Sequence, residues 1–230
     1  MPQSLDPFAA IIFDMDGVLL DTEPLYKKAM HQACADLGFE MTEELHNAQI
    51  GIPGDIGNQM MRDYFGAKFP VDLYNEYTRK TMTALTAEEV PVKIGARELL
   101  FELNTRDIPA AVATSTASPI APERLKRAGL YDMFSAVVTR SDVTNGKPHP
   151  EPFLTAAARI NIDPTTCIAL EDSHNGIRSA HGAGMKPIMV PDLLAPIPEI
   201  EALCLAIMPS LHHVREAAFG TEDSEDIRQA

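Results

Sequence analysis

The chain has 230 residues, of which 45% are hydrophobic and 23% charged, as is typical of a folded globular protein. Its formal net charge of −14 argues against nucleic acid or an anionic membrane surface as a partner. The sequence contains no apolar run long enough to span a membrane and no cleavable signal pattern, so we predict a cytoplasmic protein with no membrane partner. The length is sufficient for one α/β core with an inserted module.

The first predicted strand is the apolar run 9–13, which is followed by two acids, Asp14 and Asp16. Gly17 comes next and lets the backbone turn sharply and pass close to a ligand. Ligands of open α/β sheets bind beyond the carboxyl ends of the strands. We therefore expect Asp14 to be a phosphate-accepting nucleophile beside a Mg²⁺ ion.

The next part of the chain, residues 23–90, contains helical patterns and no convincing strand. Its last two helices are predicted at 57–65 and 72–85. A crossover between parallel strands usually needs a single helix, so this run of helices is unusual inside an α/β fold. We predict that 23–90 is an inserted helical domain and that 1–22 and 91–230 together form the core domain.

From Gly95 onward, helical and strand patterns alternate. Strands are predicted at 108–113, 136–139, 166–170, 187–190 and 205–208. Alternation of this kind is typical of an α/β fold with a doubly wound parallel sheet.

Polar residues follow one predicted strand after another. Thr114 and Ser115 follow the second strand, Lys147 follows the third, and Glu171 and Asp172 follow the fourth. In a parallel sheet these ends point to one edge, so these residues should meet the two acids that follow the first strand. Four carboxylates brought together repel one another unless a cation is bound, and Mg²⁺ prefers such hard oxygen ligands.

Each of these groups suits one task in phosphoryl transfer. Lys147 would offset negative charge on the nucleophile and on the transferring phosphoryl group. The hydroxyl of Thr114 and the backbone N–H groups at Thr114 and Ser115 would hold phosphate oxygens. Asp16 has the spacing of a general acid and base that first protonates the leaving group and then activates water.

These residues give the chain a close resemblance to the haloacid dehalogenase superfamily of phosphohydrolases, over about residues 9–192. The four motifs of that family occur in order, as Asp14-Met-Asp16-Gly-Val-Leu-Leu-Asp21, Thr114, Lys147 within Gly-Lys-Pro-His-Pro, and Glu171-Asp172-Ser173. The resemblance implies a Rossmann-like core with a four-helix cap that closes over the site. It also implies that Asp14 is the nucleophile and that Mg²⁺ is bound by Asp14, the backbone carbonyl of Asp16 and Asp172, with Glu171 in support.

The predicted catalytic residues are Asp14, Asp16, Thr114 and Lys147. The predicted substrate-binding residues are Gly17, Thr22, Gln49, Ile52, Thr114, Ser115 and Lys147. The predicted metal-binding residues are Asp14, Asp16, Glu171 and Asp172.

Within this family the chain resembles a branch that contains β-phosphoglucomutase, small sugar phosphatases and pseudouridine 5′-phosphatase. In the mutases a His occupies the place of Tyr26, and an Arg of the cap loop stands where this chain has a glycine at or near Gly54. Such an Arg would hold a second phosphate, which a mutase requires and a monophosphatase does not. We therefore predict a Mg²⁺-dependent phosphatase of a small phosphorylated metabolite, with a sugar-phosphate mutase and a non-catalytic metabolite-binding protein as alternatives.

Other features give narrower expectations. Pro24 and Pro91 would bound two linkers that act as hinges for cap closure. We expect His149, between two prolines, to shape its loop, although contact of His149 or Tyr26 with the substrate remains open. We expect a monomer or a weak homodimer.

Overall fold

A computed structural model describes residue 5 and residues 7–50, 52 and 54–220. A six-stranded parallel sheet lies at its centre, with the strand order β3-β2-β1-β4-β5-β6. The strands are β1 (Ala10–Phe13), β2 (Ala110–Ala113), β3 (Ala136–Val138), β4 (Cys167–Glu171), β5 (Lys186–Met189) and β6 (Ala206–Ile207). The predicted doubly wound parallel sheet is confirmed.

The direction of strand addition reverses at β1. The chain adds β2 and β3 on one side of β1 and then places β4 on its other side. Ile12 of β1 therefore pairs with Ala111 of β2 and with Ala169 of β4. A reversal of this kind leaves a crevice beyond the carboxyl ends of the central strands, where α/β proteins bind their ligands.

Ten α-helices surround or extend this sheet in the described part of the chain. They are α1 (Glu23–Asp36), α2 (Glu43–Asn47), α3 (Gly54–Phe65), α4 (Val71–Leu85), α5 (Ala96–Thr105), α6 (Ile120–Arg127), α7 (Glu151–Arg159), α8 (His174–Gly182), α9 (Pro198–Glu201) and α10 (Leu211–Phe219). None of these helices is both long enough and apolar enough to cross a lipid bilayer.

The sheet is buried on both faces by helices. Successive side chains of each strand point to opposite faces, so neighbouring residues of β1 enter different clusters. Ile11 of β1 packs into a cluster on one face that includes Leu99 of α5. Ile12, the next residue, packs into a second cluster that includes Phe153 of α7. The near-continuous apolar run of β1 is thus explained by helices on both sides.

The four helices α1–α4 have a hydrophobic cluster of their own, separate from those of the sheet. Its buried members are Ala33, Cys34, Met41, Leu45, Met61, Phe69, Val71 and Tyr74. Helix α2 begins directly after Thr42, whose side chain accepts a hydrogen bond from the Leu45 N–H at 3.2 Å, as is typical of an N-cap residue. No strand occurs among residues 23–50, 52 and 54–90, in agreement with the sequence pattern.

The two connections between the sheet and α1–α4 lie side by side. The N–H of Asp21 donates to the carbonyl of Pro91 at 2.8 Å, and the N–H of Lys93 donates to the carbonyl of Leu19 at 2.9 Å. Leu20 and Val92 form an isolated antiparallel bridge between these hydrogen bonds. The chain therefore leaves the core and returns to it at one place.

Candidate active site

Residues from three strand ends and from the loop around Lys147 meet in one cavity of about 160 Å³. Its floor contains Asp14, Asp16, Thr114, Ser115, Lys147, Glu171, Asp172 and Ser173. The rest of the wall is formed by Glu23, Ile50, Leu193 and Leu194. The cavity lies at the reversal of the strand order, where the sheet topology places a ligand.

Lys147 is the cation at the centre of this floor, and its side chain is only 5% exposed. Its ammonium group donates to the Oδ1 of Asp14 and, at 2.6 Å, to the Oε1 of Glu171. The second oxygen of Glu171 accepts from the N–H groups of Asp172 and Ser173 and from the Ser173 hydroxyl, at 2.9 to 3.0 Å. Glu171 is thus fully occupied and fixes the lysine in place.

The site carries an excess of negative charge that one lysine does not neutralise. Burial raises the pKa of Asp14 from 3.8 to about 8, because the favourable effect of Lys147 does not offset it and the charges on Glu171 and Asp16 add to it. Asp172 is partly exposed, but loss of hydration together with the charges on Glu171 and Asp14 raises its pKa well above its usual value. For Lys147 burial lowers the pKa, yet the carboxylates of Asp14 and Glu171 outweigh it and the net shift is upward.

Two glycines make room for the acids of the fourth motif. Gly17 has a φ of +83°, and a Cβ at this position would lie 2.2 Å from the Oδ2 of Asp172. A Cβ on Gly176, in the first turn of α8, would lie 1.7 Å from the Oε1 of Glu171. Larger residues at either position would displace these carboxylates.

The donor set fits a magnesium ion. Mg²⁺ is commonly held by one or two carboxylates together with waters and substrate phosphate. Asp14 and Asp172 supply two hard carboxylate oxygens at one cavity, with an unneutralised charge that a cation would relieve. Among the described residues, no group of three or more His, Cys, Asp or Glu side chains is arranged to hold a metal, so a site here relies on a backbone carbonyl or other oxygens as well.

Asp16 is held by three side chains. Its Oδ1 accepts from the hydroxyl of Thr22 at 2.7 Å and from Nη1 of Arg124 at 3.2 Å. Its Oδ2 accepts from the hydroxyl of Thr116 at 2.7 Å. The same Nη1 of Arg124 lies 3.0 Å from the hydroxyl of Tyr26 on α1. Thr22 is thus a partner of Asp16 and is not among the residues that line the cavity.

A second cavity of about 590 Å³ adjoins the first and shares Ser115, Lys147 and Ser173 with it. The remaining lining residues are Ile52, Gly54, Asp55, Arg140, Gly146 and Asn175. The lining of this cavity contains both polar and apolar residues. The cavity is large enough for the organic part of a phosphate ester.

The other residues singled out in the sequence lie further from the floor. The side-chain amide of Gln49 points into the helical cluster, 3.3 Å from the carbonyl of Leu45 and 3.2 Å from the sulfur of Met61. His149 contacts its own loop, accepting at Nδ1 from the N–H of Glu151 at 3.2 Å. Its carbonyl accepts from the hydroxyl of Ser179 at 2.6 Å.

Six residues of the site were absent from the sequence-based predictions: Thr116, Arg124, Glu23, Ile50, Leu193 and Leu194. Thr116 could have been predicted from the sequence, because it follows Thr114 and Ser115 after the end of β2. Arg124 stands 108 residues from Asp16, and only its position between the apolar residues Ala121 and Leu125 marks it as facing inward. Burial and the charges on Asp16 and Asp192 raise the pKa of Glu23 to about 7.

The chain is similar in sequence and in fold to known phosphatases and related proteins. The chain is 35% identical over 179 residues to a phosphorylated carbohydrates phosphatase of Thermotoga maritima, covering 78% of this chain and 83% of that protein. It is 33% identical over 189 residues to a protein of Drosophila melanogaster named probable pseudouridine-5′-phosphatase, covering 79% and 80%. The crystal structure of CbbY from Rhodobacter sphaeroides in complex with phosphate superimposes with a TM-score of 0.75 at 26% identity, covering 89% of this chain and 95% of that one.

The family described as haloacid dehalogenase-like hydrolase matches residues 11–190. This span runs from the second residue of β1 past the end of β5 and includes all four motifs identified in the sequence. The resemblance inferred from those motifs is therefore confirmed, and the chain belongs to the haloacid dehalogenase-like hydrolase family.

Proposed function

We propose that this protein is a Mg²⁺-dependent phosphatase that hydrolyses the phosphate monoester of a small metabolite through an aspartyl phosphate on Asp14. One observation carries the proposal: a buried lysine joins Asp14 and Glu171 at a cavity that also contains Thr114, Ser115 and Asp172. Nucleophile, charge compensation and oxygen-binding groups are thus adjacent, as phosphoryl transfer requires.

The phosphate would lie between Asp14 and the end of β2. Thr114 accepts a hydrogen bond at Oγ1 from the N–H of Thr116 at 3.0 Å, which leaves the proton of its own hydroxyl for a phosphate oxygen. Ser115 borders both cavities and is exposed to them. Lys147 would face the transferring group from the opposite side and offset its charge.

The reaction would proceed in two displacements. In the first, a carboxylate oxygen of Asp14 forms a bond to phosphorus while the bond from phosphorus to the leaving oxygen breaks, and Asp16 gives a proton to that oxygen. In the second, Asp16 takes a proton from water, whose oxygen bonds to phosphorus as the bond to Asp14 breaks. Inorganic phosphate is released and both aspartates return to their starting state.

Asp14 and Asp172, together with the backbone carbonyl of Asp16, would hold the magnesium ion. When bound, Mg²⁺ supplies positive charge that draws the anionic phosphate to a carboxylate nucleophile. Glu171 would contribute indirectly, because its two oxygens are already occupied by Lys147 and by the backbone and hydroxyl donors that follow it.

The helices of residues 23–90 would act as a cap that chooses the leaving group. Ile50 lines the cavity of Asp14, and Ile52 lines the adjoining cavity beside Asp55 and Asn175. The relatives' names refer to phosphorylated carbohydrates and to pseudouridine 5′-phosphate. They support a sugar phosphate or a nucleotide-like monophosphate as the substrate.

The test is a panel of sugar phosphates and nucleoside monophosphates assayed for phosphate release with Mg²⁺ and with EDTA. We expect hydrolysis of at least one ester, its loss in EDTA, and its loss in Asp14→Asn with the fold retained by circular dichroism. Retained hydrolysis in that variant would exclude the aspartyl-phosphate route. Isomerisation of a sugar phosphate without phosphate release would instead identify a mutase.

A further inference from the structure

Arg124 is a buried arginine whose contacts lead to the active site. It lies on α6, and only 4% of its surface is exposed. Within the described residues, Asp16 is the carboxylate in ion-pair distance of it, at 3.2 Å. Burying a guanidinium group is costly unless it is paired, so this ion pair is a specific feature of the fold.

Tyr26 contacts the arginine from the side of residues 23–90, here called the helical segment. Its hydroxyl lies 3.0 Å from Nη1 of Arg124, and the guanidinium carbon lies 5.2 Å from the centre of the tyrosine ring. A cation beside an aromatic ring is stabilised by the ring's electrons. Tyr26 thus restricts Arg124 through both its hydroxyl and its ring.

We propose that Arg124, held by Tyr26, is a positioning residue that fixes the carboxylate of Asp16 in the orientation needed for proton transfer. The proposal rests on the proposed function, in which Asp16 is the acid and base. Thr22 and Thr116 also contact Asp16, but a hydroxyl group rotates and can donate in several directions. The planar guanidinium is the rigid donor of the three, so it determines where the carboxylate points.

The consequence for catalysis depends on the leaving group. An aryl ester such as p-nitrophenyl phosphate releases a stable anion that needs no proton, whereas a sugar alkoxide must be protonated as it leaves. Loss of Arg124 should therefore spare the first displacement with the aryl ester and impair it with a sugar ester. The second displacement, in which Asp16 activates water, should be impaired for both.

The experiment compares wild type, Arg124→Ala and Tyr26→Phe on p-nitrophenyl phosphate and on the sugar phosphate that wild type hydrolyses fastest. For Arg124→Ala we expect kcat/KM to fall about 10- to 100-fold with the sugar ester and to stay within about threefold with the aryl ester. Rapid mixing with p-nitrophenyl phosphate should show a burst of about one nitrophenolate per enzyme before a slower steady state, because hydrolysis of the intermediate becomes limiting.

Arg127→Ala is the matched control. Arg127 lies on the same helix and also reaches the helical segment, with Nη1 donating to the Thr86 carbonyl at 3.1 Å, but it does not contact Asp16. It should keep the kinetics of wild type with both esters. Tyr26→Phe retains the ring and should show the pattern of Arg124→Ala at smaller amplitude, which keeps the test decisive if Arg124→Ala does not fold.

An equal fall in kcat/KM for both esters without a burst would overturn the positioning role, since a structural defect lowers the amount of active enzyme and does not distinguish leaving groups. Unchanged kinetics in Arg124→Ala and Tyr26→Phe would overturn it as well. Wild type that hydrolyses neither ester would overturn the proposed function itself, an outcome separate from failure of the positioning role alone.

Discussion

The two sides of the active site are built in different ways. The floor, at the ends of the strands, contains charged groups that are bonded to one another: Lys147 to Asp14 and Glu171, and Glu171 to the backbone beyond it. The helical segment of residues 23–90 contributes Ile50 to the wall of this cavity and Ile52 to the adjoining cavity, and Ile52 is 39% exposed. In the floor each charged group depends on several others, whereas Ile50 and Ile52 are apolar side chains outside that network. Substitutions should therefore lower activity strongly in the floor and more weakly at Ile50 and Ile52.

The largest effect should follow from removing the cation of the floor. Lys147→Met leaves two buried carboxylates without their partner, so we expect kcat/KM to fall about 10²- to 10³-fold. The free energy of unfolding without Mg²⁺ should fall by about 3–5 kcal/mol, as when one member of a buried ion pair is removed. Steady-state kinetics and urea unfolding measure these changes.

Lys126→Met is the comparison for that variant. Lys126 is exposed, and its ammonium group lies 4.8 Å from the centre of the Tyr131 ring, away from the cavity. Its loss should cost no more than about 1 kcal/mol and leave kcat/KM unchanged. Equal effects at the two lysines would contradict the distinction between floor and surface.

A methyl group added behind the floor should have the next largest effect. Gly176→Ala places a Cβ 1.7 Å from the Oε1 of Glu171, the oxygen that accepts from Lys147. The carboxylate must move, so we expect a loss of about 1–3 kcal/mol in stability together with a marked fall in kcat. Gly182→Ala, on the same helix, meets its nearest atom at 3.6 Å and should be neutral or slightly stabilising. A Gly176→Ala enzyme with normal kinetics would show that the position of Glu171 is not critical.

The charge of the floor predicts how stability depends on pH and metal. The pKa of Asp14 is raised from 3.8 to about 8 in the folded protein, so the folded state binds more protons than the unfolded state between these values. In EDTA the unfolding midpoint should therefore fall as the pH rises from 6 to 8. Mg²⁺ should raise the midpoint, and more at pH 8 than at pH 6, because the ion replaces the proton. A midpoint in EDTA that increases over this range would contradict the proposed origin of the shift.

The smallest effects are expected at Ile52 in the adjoining cavity. Ile52→Ala should change kcat/KM by about 2- to 10-fold and by different factors for different esters, because under the proposed function Ile52 would contact only the leaving group. Hydrolysis of p-nitrophenyl phosphate and of the sugar phosphates in the panel gives these ratios. Ile56→Ala, on α3 at a position that is 51% exposed and outside both cavities, should leave the ratios unchanged. An equal fall in kcat/KM for all esters in Ile52→Ala would show that Ile52 does not select among leaving groups.

The strands of the sheet and the polar residues of the floor could be predicted from the sequence because both follow from local patterns. An apolar run followed by acids predicted β1 at 9–13, and the strand occupies Ala10–Phe13. The strand predicted at 166–170 occupies Cys167–Glu171. In a parallel sheet, the order of such segments is sufficient to bring their polar ends together. Helix α10, at Leu211–Phe219, was not predicted, because its nine residues carry few local signals.

Contacts across the fold could not be predicted in this way. The bond between Arg124 and Asp16 joins residues 108 positions apart and depends on how α6 packs against the loop after β1. The direction of the Gln49 side chain is likewise decided by packing, since its amide turns to Leu45 and Met61 inside the helical cluster. Side-chain direction in a connecting loop has no periodicity from which to infer it.

The paired connections at Leu19–Asp21 and Pro91–Lys93 have an evolutionary consequence. Because the chain leaves and re-enters the core through two hydrogen-bonded segments that lie side by side, a short turn could join them without moving the sheet. The helical segment can therefore be lengthened or exchanged during divergence while the sheet keeps its geometry. An enzyme built in this way can acquire new substrates by replacing one continuous stretch of its gene.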